Sequence, residues 1–508
     1  MTSKGARRRL LLKTASSLAA APWLPGLARA DTPIRIRQEW QQFKATSQYG
    51  SFLAAFAAMR ANTNAADRSS LAFWANVHET HCPHGAPYFV AWHRGYLYYF
   101  EQQLRIVSGN PDLNVPYWDY YAYATLPAEF TNPASSNPLY MPRLSANVHG
   151  ALDLAPFAPS VYNFQHGTLN AFEPKIEDVH NPIHDLIGGV MTTMQSPLDP
   201  IFYLHHASVD RLTHAWALPD GKGIPYSNNP YSPTNSDPYW GGSHTYAADL
   251  SIERYKTLDP TWIGTDYANT TMPTTLPPAP SSSRTETGRT APATRFAAIR
   301  RPPSRRFKQA PNRRLSATRR VVSGVLLPIF DQQSISIALR LEKKDAAEAA
   351  RIVAARRAIE KGSRLGSLGS IKVVIDRAAL SAAAGQGGFF YAFYLNMPDV
   401  IDSSATRALH FVGTLGAFQI AAATHHGTAT IEFDVTGLLA QQKRFDFSEL
   451  SLSWVRVDGD RPPKGKTIDV AEARLDLTLD PQPAPAPPLA KPAGWYRSRS
   501  SGVWNLPK

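Results

Sequence analysis

The chain has 508 residues, of which 43% are hydrophobic, a formal net charge of +13 and a single cysteine. This length exceeds one compact core and predicts two folded units with connectors, and one cysteine excludes an internal disulfide. The positive charge is concentrated at the N-terminus and in residues 284–320. The rest of the chain is slightly acidic, so the charge does not indicate nucleic-acid binding.

The N-terminus has the pattern of an export signal. Arg8 and Arg9 precede an apolar run that closes in Ala28-Arg29-Ala30. This order predicts a twin-arginine signal peptide over residues 1–30, not a membrane anchor, and no other apolar run is long enough to span a bilayer. We therefore expect the twin-arginine machinery as a partner and a periplasmic or extracellular location. The alternative is a basic arm of a cytosolic protein.

Residues 31–271 have apolar residues at helical spacing, separated by proline-rich loops. His93, Leu97, Phe100 and Leu104, for example, fall on one face of a helix. This part is predicted to be a mainly α-helical domain.

The sequence changes character twice after residue 271. Residues 272–328 are rich in proline, serine and paired arginines, which predicts a linker, either a protease-sensitive hinge or a passive spacer. Residues 329–483 contain seven short runs rich in β-branched and aromatic residues, which predict an antiparallel β-sandwich interrupted by one helical insert. Residues 484–508 are predicted to be a disordered tail. The predicted fold class is therefore α + β.

Histidines indicate a metal site in the helical part. Imidazole binds copper, zinc, iron and nickel through a neutral nitrogen, so the cluster alone does not identify the metal. Eight of the fifteen histidines lie in two segments: His78, His81, His84 and His93, then His180, His184, His205 and His206.

The second segment has helical spacing. His180 and His184 are one turn apart and share a face, although such a pair also occurs among core or surface histidines. Pro182 between them is tolerated in a first turn, which predicts a helix that begins near Asp178. His205 and His206 are about 100° apart on a helix, so one would bind an ion and the other would support it.

Four motifs carry a family resemblance. They lie between Gln38 and Asn269 and resemble the two copper-binding regions of the tyrosinase, catechol oxidase and molluscan haemocyanin family. That resemblance implies a four-helix bundle that holds two copper ions, each by three histidines. The motifs are FVAWHRGYLYYFE, VPYWDYY, EDVHNPIHDLIGG and SPLDPIFYLHHASVDRL.

The resemblance assigns the ligands residue by residue. His81 is the alternative to His78, and His205 would be the supporting neighbour of His206. Cys82-Pro83-His84 resembles a Cys-x-His pattern in which a thioether joins the two side chains; the alternative is an unmodified buried cysteine. The implied ligands are His78, His84 and His93 for copper A, and His180, His184 and His206 for copper B.

The same resemblance implies a reaction, in which dioxygen is used to hydroxylate monophenols and to oxidise o-diphenols to o-quinones. Glu177 and Asn181 resemble a pair that holds a proton-accepting water, although Glu177 could instead favour the helix N-terminus through the dipole. Phe202 resembles an aromatic residue that flanks the substrate at copper B.

The β-sandwich is similar to the C-terminal domain that covers the copper site of plant-type phenol oxidases. Phe389, Phe390 or Tyr391 would either plug the site or belong to the sandwich core. We therefore expect an exported tyrosinase, latent until this domain moves, with an activating protease as a potential partner. The alternatives are a catechol oxidase, a haemocyanin-like dioxygen carrier and a zinc-bound structural module.

Overall fold

The computed structural model describes most of the chain. The described residues are 34–134, 136–168, 170–218, 239–279, 298–360, 369–425, 430–443, 445–479, 496–497 and 504–505. The predicted export signal, residues 1–30, lies outside the described residues. No helix among the described residues is long and apolar enough to cross a membrane.

The N-terminal part is helical, as the sequence predicts. Helix α4 packs against both α2 and α6, and α5 lies in the same buried core. The helices of this part are α1 (Trp40–Phe43), α2 (Gln48–Ala61), α3 (Leu71–His81), α4 (Phe89–Ser108), α5 (Phe172–Ile187) and α6 (Ile201–Ala217). Its short strands are β1 (Arg35–Arg37), β2 (Ser243–Ala247), β3 (Leu250–Glu253) and β4 (Thr265–Tyr267).

Helix α5 begins earlier than its sequence predicts. It starts at Phe172, not near Asp178, so Pro182 lies inside the helix. Pro174 is the proline that occupies the first turn, where a missing N–H costs no helical hydrogen bond. The prediction was wrong because the sequence offers two prolines and the first one marks the helix start.

The C-terminal part is a sandwich of two antiparallel sheets with a helical insert, which confirms the α + β prediction. The sheets have the strand orders β13-β11-β15-β8 and β14-β9-β17-β7-β6. The longer strands are β7 (Arg319–Leu326), β8 (Ile335–Arg340), β9 (Ser370–Asp376), β11 (Phe389–Leu395), β13 (Phe411–Gly416), β14 (Ile431–Asp434), β15 (Glu449–Asp458) and β17 (Glu472–Thr478). Two-residue strands are β5 (Ile299–Arg300), β6 (Arg313–Arg314), β10 (Ala379–Leu380), β12 (Val400–Ile401) and β16 (Ile468–Asp469), and the helices are α7 (Lys343–Glu360), α8 (Ser404–Ala408), α9 (Ala417–His425) and α10 (Thr436–Gln441).

The prediction of a linker through residue 328 was wrong at its C-terminal end. Strand β7 pairs with β17 inside the five-stranded sheet. Its arginines are neutralised by acids that are distant in sequence: Arg319 Nε donates to Asp476 Oδ2 at 2.8 Å, and Arg320 Nη2 donates to Asp345 Oδ1 at 3.0 Å. Like charges that would repel in isolation are therefore part of the sandwich.

Within the predicted C-terminal tail, residues 484–508, the structure describes two short strands. Two-residue strands β18 (Tyr496–Arg497) and β19 (Trp504–Asn505) pair with each other. The other residues of 484–508 lie outside the described part of the chain.

A buried ion network joins the helices to the N-terminal strand. Arg37 Nε donates to Glu101 Oε1 at 2.8 Å, and Arg94 Nε donates to Asp210 Oδ1 at 2.6 Å. Arg37 Nη1 also donates to Asp210 Oδ2 at 3.1 Å, and Asp210 is 1% exposed. This network ties α4, α6 and β1 together.

We expect Asp210→Ala to lower the free energy of unfolding by about 3–5 kcal/mol, because it leaves two buried guanidinium groups without their shared carboxylate. The exposed pair between Arg340 and Glu449 supplies the control. There Glu449→Ala is expected to lower the free energy of unfolding by less than about 1 kcal/mol. Denaturant unfolding of both variants checks this, and similar losses in the two would contradict it.

Candidate metal centre

The first histidine group comes from α3, α4 and the loop between them. His78 lies in the last turn of α3, His84 in the loop and His93 in α4. Potential ligand atoms of these three residues and of Cys82 all lie within 4.8 Å of one another. The structure therefore brings together the residues predicted for copper A.

The second group comes from α5 and α6. His180, His184 and His205 offer ligand atoms within 4.8 Å of one another. His206, the predicted third ligand, is not part of this mutually close set, whereas His205, the predicted supporting neighbour, is. The Nε2 atom of His206 nevertheless lies 3.2 Å from Nε2 of His180, so His206 contacts the group.

The two groups face each other across one small space. The ring of His93 stacks on that of His206 with centroids 4.0 Å apart, and the rings of His84 and His180 are 5.9 Å apart. Residues separated by about a hundred positions in sequence thus form one site. That arrangement suits two ions held side by side.

Backbone and side-chain oxygens fix the orientation of four rings by accepting hydrogen bonds from Nδ1. A histidine that donates from Nδ1 presents a bare lone pair at Nε2, which is the state required of a metal ligand. The Nδ1 partners are Met194 O for His78 (2.7 Å), Phe89 O for His93 (2.8 Å), Asn181 Oδ1 for His180 (2.9 Å) and Met191 O for His184 (2.7 Å).

Burial keeps these rings neutral. Desolvation lowers the pKa of His180 to about 3, and it lowers the pKa of His93, His184 and His206 well below the ordinary value, with neighbouring imidazoles adding to the effect. Neutral imidazole is the form that binds metal ions.

The nitrogen positions fit a metal ion. Two nitrogens bound to one ion at about 2.0 Å in tetrahedral geometry lie roughly 3.3 Å apart, close to the 3.2 Å between Nε2 of His180 and Nε2 of His206. Nε2 of His184 is buried and has no hydrogen-bond partner among the described residues. A buried polar atom of this kind is costly unless something binds it.

Comparison with known proteins finds a family model that matches part of the chain. Two overlapping segments, residues 40–147 and 132–218, match the family model of the common central domain of tyrosinase. Residues 40–218 of the chain are therefore similar to the tyrosinase family. The matched segments contain every histidine of both groups.

Related proteins include enzymes and oxygen carriers by name. Tyrosinase HcTyr1 of Hahella sp. (strain CCB-MM4) is 31% identical over 187 residues, which are 29% of this chain and 40% of that protein. The A-type hemocyanin of Enteroctopus dofleini (units Ode to Odg) is 31% identical over 175 residues, which are 28% of this chain and 14% of that protein. The chain thus spans less than half the length of either relative.

One solved structure of similar length is a latent aurone synthase (polyphenol oxidase). It is 18% identical, with a TM-score of 0.49, and the match covers 89% of this chain and 91% of that one.

Cys82 lies between two of the predicted ligand histidines. Its Sγ is 3.5 Å from Nε2 of His84 and 3.4 Å from Nε2 of His93. Burial raises the pKa of the thiol, so the sulfur is protonated in this environment. His81, the alternative ligand, lies at the end of α3 and belongs to neither group.

The two residues predicted to hold a water contact different parts of the site. Glu177 Oε1 accepts a hydrogen bond from the backbone N–H of Gly85 at 2.9 Å, in the loop that carries His84. Burial raises the pKa of Glu177 well above its usual value. The Asn181 side chain accepts from His180 and so fixes that ring.

Phe202 lies fully buried against the predicted ligand histidines. Its ring centroid is 4.2 Å from that of His206, 5.1 Å from that of His78 and 5.3 Å from that of Tyr203. Phe202 therefore packs against both histidine groups.

The aromatic residue that covers the site comes from the sandwich, and sequence reasoning missed it. Phe418, in α9, stacks on His184 with ring centroids 4.1 Å apart and lies 5.0 Å from His84. Of the residues considered for this role, Phe389 and Tyr391 belong to the sandwich core and Phe390 to the core of the helical part. The segment AFQ has no feature in the sequence that marks Phe418.

Docking of the sandwich fixes the position of Phe418. Its backbone N–H donates to Asp185 Oδ1 at 2.7 Å, next to the predicted ligand His184. A Cβ atom at Gly416 would overlap the carboxylate of Asp185, so glycine permits this approach.

The two neighbouring histidines of α6 can be distinguished by metal stoichiometry. We expect a His206→Ala chain to bind about one copper ion fewer than wild type, because it lacks the nitrogen that faces His180, and His205→Ala to bind the wild-type number. Atomic absorption of copper-loaded, desalted protein measures this. The reverse pattern would show that His205 is the ligand.

Proposed function

We propose that this protein is a copper-dependent oxidase that uses dioxygen to hydroxylate monophenols at the ortho position and to oxidise o-diphenols to o-quinones. The observation that carries the proposal is the pair of facing histidine groups, each with potential ligand atoms within 4.8 Å of one another, in a part of the chain that matches the tyrosinase family model. The proposed ligands are His78, His84 and His93 for one ion and His180, His184 and His206 for the other.

Copper is the metal that fits the reaction. All-imidazole sites bind copper or zinc, but zinc has no redox chemistry. Two copper ions would supply the electrons with which dioxygen is bound and reduced. The protein's part is to keep the imidazoles neutral, oriented and shielded from water.

Phenol binding requires that the substrate lose its hydroxyl proton. We propose that Glu177 and Asn181, one turn apart on α5, orient a water that accepts this proton. Burial raises the pKa of Glu177, so its carboxylate, once ionised, would be a stronger base toward this water than an exposed carboxylate. The bond to Gly85 N holds the carboxylate beside the His84 loop.

We propose that Cys82 is joined to the ring of His84. Because Cys82 Sγ lies at a similar distance from the ring of His93, His93 is the alternative partner. A new C–S bond replaces one S–H and one ring C–H bond, and dioxygen takes up the two electrons and two protons. The link would hold the ring and remove a thiol that could compete for copper.

Mass spectrometry of peptides from the copper-loaded protein tests this proposal. The cross-linked peptide is expected to be lighter by two hydrogens than its sequence requires, and fragmentation identifies the joined histidine. An alkylatable free thiol at Cys82 in active enzyme would refute the link.

The sandwich domain, residues 329–483 with strand β7 added, is proposed to keep the enzyme latent. Phe418 stacks on His184 and faces His84 and His180, so it occupies the space in which an aromatic substrate would approach the ligands. Activation would follow cleavage in the predicted linker or movement of the domain. The twin-arginine route would export the protein to the periplasm or beyond.

Two related functions are distinguishable alternatives. A catechol oxidase would use the same ligands but hydroxylate monophenols poorly. A haemocyanin-like protein would bind dioxygen reversibly. The sequence similarity to a hemocyanin supports this alternative.

Oxygen uptake by the copper-loaded full chain tests the function and its latency together. We expect slow uptake with wild type and at least about tenfold faster uptake with Phe418→Ala, for a monophenol and for a catechol. Ile420→Ala is the matched control, because Ile420 lies on the same helix but packs in the sandwich core.

Each other outcome excludes one part of the proposal. Uptake with catechol alone would indicate a catechol oxidase, and reversible oxygen binding without consumption would indicate a carrier. Equal activation by Ile420→Ala and Phe418→Ala would mean that loosening the domain, not removing the ring, opens the site.

A further inference from the structure

The turn that follows α5 supplies oxygen atoms to ligands of both ions. In residues 188–194, the carbonyl of Met191 accepts from Nδ1 of His184 and the carbonyl of Met194 accepts from Nδ1 of His78, each at 2.7 Å. Groups that hydrogen-bond a ligand histidine set its orientation and its basicity. The position of this turn therefore controls one ligand in each histidine group.

A loop of the sandwich domain is bonded directly to this turn. The loop comprises residues 384–388, sequence AGQGG, and is called the glycine loop below. Gly189 N–H donates to the carbonyl of Gln386 at 2.8 Å, and the Thr192 hydroxyl lies 2.9 Å from the carbonyl of Gly385. At the end of the loop, Gly388 N–H donates to the carbonyl of Asp185 at 2.7 Å.

The two backbones can approach this closely because a glycine lies on each side, Gly387 in the loop and Gly188 in the turn. A Cβ at Gly387 would lie 2.5 Å from Thr192 Cγ2 and 2.6 Å from the carbonyl oxygen of Asp185. Gly387 also has a φ of +78°, a conformation that favours glycine. On the other side, a Cβ at Gly188 would lie 2.7 Å from the carbonyl oxygen of Gln386.

From these contacts we infer that the glycine loop is a positioning element for the metal ligands: the sandwich domain holds the turn that orients His184 and His78, and so strengthens metal binding. The inference rests on the proposed dicopper function. It gives the domain a second role beside covering the site with Phe418.

The two roles use different atoms and can be separated. Phe418 contacts the faces of the ligand rings, whereas the glycine loop contacts the backbone and Thr192 of the turn. Removing the Phe418 ring opens the site without altering the loop. Changing the glycine loop alters the turn and leaves the Phe418 side chain in place.

Equilibrium competition for copper between the full-length protein and a chelator of known affinity tests the inference. An equilibrium measurement does not depend on how easily the chelator reaches the site. We expect Gly387→Ala to bind copper about tenfold or more weakly than wild type, as for other changes to groups behind metal ligands.

Three variants serve as controls. Gly385→Ala should bind as wild type does, because its Cβ would meet only Ala382 O, at 3.8 Å. Phe418→Ala should also keep the wild-type affinity. Thr192→Ser keeps the hydroxyl and should restore the affinity that Thr192→Ala lowers.

The inference is overturned if Gly387→Ala and Gly385→Ala bind copper equally. If Gly387→Ala does not fold, the comparison of Thr192→Ala with Thr192→Ser tests the inference instead. Equal copper affinities of these two variants would contradict the inference. Wild type that fails to bind two copper ions would instead overturn the proposed function.

Discussion

The structure depends on the burial of histidine rings that must stay neutral yet have both nitrogens satisfied. Five of the six proposed ligands have an exposure of 1% or less. Buried nitrogens without partners are costly, and four rings meet half of this requirement by donating from Nδ1 to nearby oxygens. A metal ion at Nε2 would meet the other half. The folded helices thus place the proposed ligands in the state that an ion would require before it binds.

The second domain completes this arrangement. Strand β13 and helix α9 contact α5, the helix of His180 and His184. Burial raises the pKa of Asp185 to about 8, while hydrogen bonds from Phe418 and Ala417 act in the opposite direction. Covering of the site by Phe418 and support of the turn by the glycine loop both follow from this docking. Latency and metal retention would therefore change together when the domain leaves.

Much of the fold and of the candidate site could be predicted from the sequence, because metal ligands and sheet strands have local patterns. The α + β class follows from the periodicity of the sequence, and the histidines of both groups were predicted from their clustering and from the family resemblance of the motifs. Strand β7 was missed because the acids that neutralise Arg319 and Arg320 are distant in sequence. Phe418 was missed for a related reason: its place is set by how two domains pack, which leaves no local signal. Arg94, outside the apolar stripe of α4, is buried because Asp210 binds it.

The most direct test of the central claim is anomalous X-ray diffraction at the copper edge from crystals of the copper-loaded full chain. We predict two peaks per chain in the space between α3, α4, α5 and α6, one bonded by His78, His84 and His93 and the other by His180, His184 and His206, with Phe418 above them. A single peak, or peaks at other residues, would contradict the assignment of a paired copper site.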